Sequence, residues 1–145
     1  MSAESEDDTP RGRARLGLLG VLACAVALVL ALANGRVALQ VYQVGGMIDP
    51  ALAGQALALL AGAAAFAITR TSLAGLALTG LSLWVYWGMA PVIGQVLTGP
   101  PSELPLWLGP MEIAAFLFFP LAFFAWRDVA RRQKAGDATQ TARAS

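Results

Sequence analysis

Four long apolar runs, set apart by short polar or Gly/Pro-rich breaks, organise this chain. The first, Leu16 to Ala33, is eighteen residues without a charge and follows directly on Arg11, Arg13 and Arg15. At about 1.5 Å of rise per residue it covers about 27 Å, close to the ~30 Å hydrocarbon core of a bilayer. It predicts a transmembrane helix over about 16–34. The stretch from Arg36 to Ile48 is mixed, with Val37, Val41 and Val44 on one helical face and Gln40 and Gln43 on others. It predicts a short interfacial segment ended by Gly45-Gly46. Asp49-Pro50 then has the form of an N-cap followed by proline at the first helical position, opening a second span over 50–69 that Arg70 closes.

Arg70-Thr71-Ser72 leaves room only for a tight turn, so the second and third spans form an antiparallel hairpin. The third span, 73–91, passes Trp84, Tyr86 and Trp87 and bends or frays at Pro91. After an irregular stretch around Thr98–Glu103, a fourth span covers 105–126 and leads into RDVARRQK, where Asp128 can pair with Arg131 or Arg132. Residues 1–14 and 133–145 are polar without apolar periodicity, as expected of disordered tails flanking a transmembrane domain over 15–132. The fold class expected is an all-α integral membrane protein, a four-transmembrane-helix bundle running up-down-up-down.

Composition agrees with that pattern. The chain is 57% hydrophobic and 13% charged, against about 25% charged in soluble domains. Between Leu16 and Trp126 the formal charges are Arg36, Asp49, Arg70, Glu103 and Glu112 alone. Nine of the ten Lys/Arg fall in segments that share one side of a four-span arrangement, and Arg36 alone falls on the other. Positive residues concentrate on the cytoplasmic side, so both termini are expected in the cytoplasm. Alanine-rich helices suit a bacterial plasma membrane. A cleaved signal peptide is the competing reading of the first span, with Ala31-Leu32-Ala33 as the cleavage form. The apolar stretch is longer than an ordinary signal core, however, and an acidic tail precedes it.

The residues available limit the chemistry. There is no histidine and one cysteine, Cys24. Histidine-ligated metals, Ser-His-Asp triads, Cys-His dyads and internal disulfides are therefore excluded. Acidic residues in the apolar region stand singly, so no catalytic constellation or cofactor site is expected. A net charge of +1 gives no footprint for nucleic acid. The expected partners are the lipid bilayer and other membrane subunits or further copies of the chain.

Hydrophobicity does not hold helices together in lipid; close backbone approach and polar contacts do. Small residues recur every four positions at Ala23, Ala27, Ala31 and Gly35, and again at Gly54, Ala58 and Gly62. Both stripes are candidate packing faces. Phe116, Phe119 and Phe123 share one side of the fourth span around Pro120, either as bulk against the alanine-rich helices, or as a hinge or a lipid- or partner-facing aromatic surface. Trp84, Trp87, Trp107 and Trp126 are the candidate interfacial anchors.

Glu112 is the one charge inside the fourth run. If the helix restarts with Pro110 at its first position, Glu112 lies in the first turn, where unpaired N–H groups and the dipole favour a carboxylate. The alternative is an ion or proton site facing the bundle, with Gln55, Tyr86, Gln95 or Arg36 as partners; a Gln55–Glu112 hydrogen bond is the specific expectation. Two functions follow. The first is a non-catalytic accessory or interaction subunit of a membrane complex. The second is a small oligomeric transporter or channel that uses Glu112 as its coupling carboxylate.

Overall fold

The computed structural model describes residues 16–98 and 108–145, with side chains over 16–88 and 110–145. Four helices make up the described chain: α1 (Leu18–Gly45), α2 (Pro50–Thr69), α3 (Ser72–Thr98) and α4 (Leu108–Ala144). Among the described residues there is no strand.

α1 is longer than the pattern of its apolar residues predicts. No proline interrupts the stretch after Ala33, so Arg36 to Gly45 continues the same helix rather than forming a separate interfacial segment. Its 28 residues reach about 42 Å, well beyond a hydrocarbon core of about 30 Å. It stops at Gly46, whose φ of 69° lets its N–H return to the Tyr42 carbonyl at 2.7 Å.

α2 opens as its sequence signals. Asp49 accepts a hydrogen bond from the Ala51 N–H at 2.9 Å, and Pro50 occupies the first turn. It closes at Arg70, a left-handed residue at φ 52° whose N–H reaches the Phe66 carbonyl at 3.0 Å. The Arg70 Nε also donates to the Ala67 carbonyl at 3.3 Å, placing a cation on the helix's orphan acceptors. Thr71 then caps α3, its hydroxyl accepting from the Ala74 N–H.

α4 corrects two expectations. Its first described residue is Leu108, so Gly109-Pro110 lies within the first turn instead of opening it, and Glu112 lies beyond that turn. At the other end the helix continues through 133–144, where a disordered tail was expected. Asp128 and Arg132 form an ion pair at 2.8 Å, and the hydroxyls of Thr139 and Thr141 bond back to the carbonyls of Ala135 and Asp137.

The helices pack in chain order around a ring that α4 closes against α1. Contacts fix their directions. Gly20 faces Phe66 while Asn34 meets Gln55, so α1 and α2 are antiparallel. Gly75 abuts Trp126 while Tyr86 meets Phe116, with ring centroids 6.2 Å apart, so α3 and α4 are antiparallel as well. The core holds Leu30, Leu59, Phe66, Leu78, Val85 and Phe118 among alanines. Ala27 and Ala31 are buried in it. Phe118 carries the aromatic bulk at the centre. Phe119 and Phe123 are half-buried beside Trp126, and Phe116 is 64% exposed.

Three helical stretches, Leu18–Gly45, Pro50–Thr69 and Pro110–Ala144, are long and apolar enough to cross a membrane. Their outward faces carry residues such as Leu18 and Val44, exposed 76% and 93%. Apolar surface on that scale belongs against lipid or protein, not water.

Gly75 marks a close approach to the backbone of α4. A Cβ on Gly75 would lie 3.1 Å from both the Cα and Cβ of Trp126 and 3.1 Å from the Phe66 ring, and the backbone of α4 cannot retreat cheaply. Gly54 has nothing within 4 Å of that position and lies on the exposed side of α2. Gly75→Val is therefore expected to destabilise the protein by about 1–3 kcal/mol, and Gly54→Ala to leave it unchanged or to stabilise it by up to about 1 kcal/mol through helix propensity. Unfolding curves in detergent micelles measure both; equal effects would contradict the α3–α4 contact.

A candidate polar layer near one end of the bundle

α1 and α2 are joined by a side-chain hydrogen bond, Asn34 Nδ2 to Gln55 Oε1 at 2.9 Å. Asn34 is 9% exposed. It continues the buried stripe of Ala23, Ala27 and Ala31 by one further turn, so the stripe that packs α1 also delivers its polar residue to the interface. The Gln55 Nε2 points toward α3, 3.6 Å from where a Cβ on Gly88 would stand. Gly88 leaves the space that the Gln55 amide occupies.

α4 reaches the same level. Met111 lines a cavity with Leu32, Ala33, Arg36, Val37 and Gln40 of α1, which places the start of α4 opposite the Asn34 turn. Glu112 follows Met111 and precedes by one turn the Phe116 that packs on Tyr86, which turns its side chain toward the α3 flank. One of its oxygens, Oε1, is buried and has no hydrogen-bond partner. The expected Gln55–Glu112 bond is absent among the described residues: Gln55 Oε1 accepts from Asn34, and the Nε2 that could donate to a carboxylate is directed at Gly88 of α3. Arg36 is not brought to Glu112 either. It is exposed on the α1–α4 groove, and no ion pair joins the two among the described residues. Gln95 has its side chain outside the described part.

The remaining sequence candidates fall as follows. Ala58 is half-buried and Gly62 faces Leu81 of α3, where a Cβ would come within 2.5 Å of the leucine Cδ1. Trp84 and Trp87 are exposed on α3, 46% and 80%. Trp126 is half-buried and donates to the Ser72 hydroxyl at 3.1 Å, while the Ser72 N–H donates to Gln133 Oε1 at 3.1 Å. These two bonds tie the start of α3 to α4. Trp107 lies outside the described residues. Cys24 is half-buried against the Ala63 carbonyl at 3.7 Å.

Sequence reasoning passed over Asn34, treating it as the end of the first span. Extending the small-residue stripe past Ala33 would have found it, since Asn34 stands seven residues after Ala27. Among the described residues no three His, Cys, Asp or Glu converge as a metal site. Compared with known proteins, the chain matches no family model, no curated protein and no solved structure.

The arrangement can do two things. A part-buried amide–amide bond joins α1 to α2, and Glu112 of α4, near the same level, has a buried carboxylate oxygen without a partner among the described residues. Interhelical hydrogen bonds in membranes average about 0.6 kcal/mol and reach about 1.7 kcal/mol. A double-mutant cycle of Asn34→Val with Gln55→Leu, read by unfolding in micelles, is expected to give a coupling of about 0.5–2 kcal/mol. Additive effects would mean that the bond does not hold the two helices.

Proposed function

We propose that this chain is a non-catalytic interaction subunit of a membrane complex, with four spans running up-down-up-down and both termini in the cytoplasm of a bacterial cell. The observation that carries this reading is the far end of α4. From Arg131 to Ala144 the helix continues with every residue exposed. Beyond Gln133, which the Ser72 N–H reaches, the eleven residues 134–144 make about 16 Å of helix that no other described element covers. An isolated helix of that length is marginal in water, and most helical stability comes from packing. The segment includes Gly136, Asp137, Thr139 and Thr141, which are poor helix formers. A covering partner supplies the packing that the chain itself does not. Charge supports the orientation, since Lys134 and three of the arginines that follow the fourth span collect at this end.

A second reading is favoured by Glu112. Its position past the first described turn of α4 and a buried Oε1 without a partner among the described residues support a role other than helix capping. Intramembrane carboxylates mark ion or proton pathways more often than they serve packing. On this reading several copies assemble around a pathway, and Glu112→Gln stops ion or proton flux into liposomes without altering helix content.

Purification of the full chain in mild detergent, with identification of co-eluting proteins, separates the two. The subunit reading expects a second polypeptide in fixed ratio, lost when the chain is cut after Ala130. A homo-oligomer with no second polypeptide, unchanged by that truncation, contradicts it.

A further inference from the structure

The groove between α1 and the start of α4 has the make-up of an amphiphile site. It encloses about 320 Å³ and is lined by Leu32, Ala33, Arg36, Val37, Gln40 and Met111. One end is apolar, formed by Leu32 and Ala33, with Val37 and Met111 lining the groove alongside. The other carries Arg36 and Gln40, one helical turn apart and on the same side of α1. We propose that this groove binds a glycerophospholipid, its phosphate held by Arg36 and Gln40 and one acyl segment lying along Leu32, Val37 and Met111.

Depth, charge and size converge on that occupant. Arg36 stands eighteen residues after Leu18, about 27 Å along the helix. With α1 starting at one edge of a hydrocarbon core of about 30 Å, the guanidinium reaches the opposite phosphate layer. It needs acceptors there, because arginine carries five donors and no acceptor of its own. Among the described residues no carboxylate is paired with it. Glu112 is turned to the α3 flank, Asp49 accepts from Ala51, and Asp128 pairs with Arg132 at the other end of the bundle. A phosphate fits the guanidinium fork in two-point fashion. Size argues against a protein occupant: one turn of a helix about 10 Å across fills roughly 420 Å³, more than the whole groove. One acyl segment fits.

The inference rests on membrane embedding and on neither reading of function. Native mass spectrometry of the full chain released from detergent, with added phosphatidylglycerol or phosphatidylcholine, tests it. The wild type is expected to retain one lipid and to prefer the anionic one by about fivefold, the advantage of one interfacial cation. Arg36→Gln removes the preference, and Arg36→Lys keeps most of it. Leu32→Trp fills the apolar end and lowers retention of both lipids with Arg36 still present. A preference that survives Arg36→Gln, or retention unchanged by Leu32→Trp, overturns the proposal; so does displacement of the lipid by inorganic phosphate alone, which would assign the site to a free anion.

Discussion

Phe66 sits where the four helices come closest. It is fully buried on α2, and its ring edges lie between Gly20 of α1 and Gly75 of α3, with Trp126 of α4 closing on Gly75 from the far side. One large side chain thus meets two glycine slots, and the fourth helix locks one of them. Lipid gives helices no hydrophobic reason to associate, so close packing of this kind supplies the association. The surrounding alanines, Ala23, Ala27, Ala63, Ala122 and Ala125, are too small to keep the backbones apart and leave Phe66 and Phe118 to fill the centre.

Polar bonds complete what the packing begins, and they sit at the two ends. At one end Ser72 receives the indole N–H of Trp126 and gives its own N–H to Gln133. At the other, Asn34 and Gln55 join α1 to α2. Between these ends, Thr79 and Ser82 are buried but return their hydroxyls to carbonyls of their own helix. That division keeps the middle of the bundle free of cross-helix polar demands. Glu112 departs from it, since its buried Oε1 is not satisfied. An unsatisfied polar atom costs about 1–3 kcal/mol, so its retention fits a use other than packing.

Helix number, the Asp49-Pro50 start of α2 and the short turn into α3 were all legible in the sequence, because each rests on local chemistry. Boundaries set by the absence of a breaker were not. Gly35 and Arg36 look like the end of a span, yet a single glycine does not stop a helix whose next residues are Val, Ala and Leu. The tail after Lys134 has disordered composition, yet it inherits a nucleus from α4 and so avoids the unfavourable first turn of helix formation. In the polar layer the pairing was misassigned. Gln55 and Glu112 lie at similar depth, but depth does not say which flank of α4 a side chain takes, and Asn34 was nearer. The small-residue rule gave a mixed result on both helices: on α1 Ala23, Ala27 and Ala31 are buried while Gly35 meets nothing within 4 Å, and on α2 Gly62 faces α3 while Gly54 faces outward.

The proposal on which the functional reading rests is that all four helices are antiparallel spans of one bilayer, with the cationic ends gathered on one side. Reporter fusions at each terminus and within the turn at Gly46, scored for cytoplasmic or external activity in intact cells, test it directly. The account predicts that both termini report from the cytoplasm and the Gly46 turn from outside. Termini on opposite faces of the membrane would contradict it.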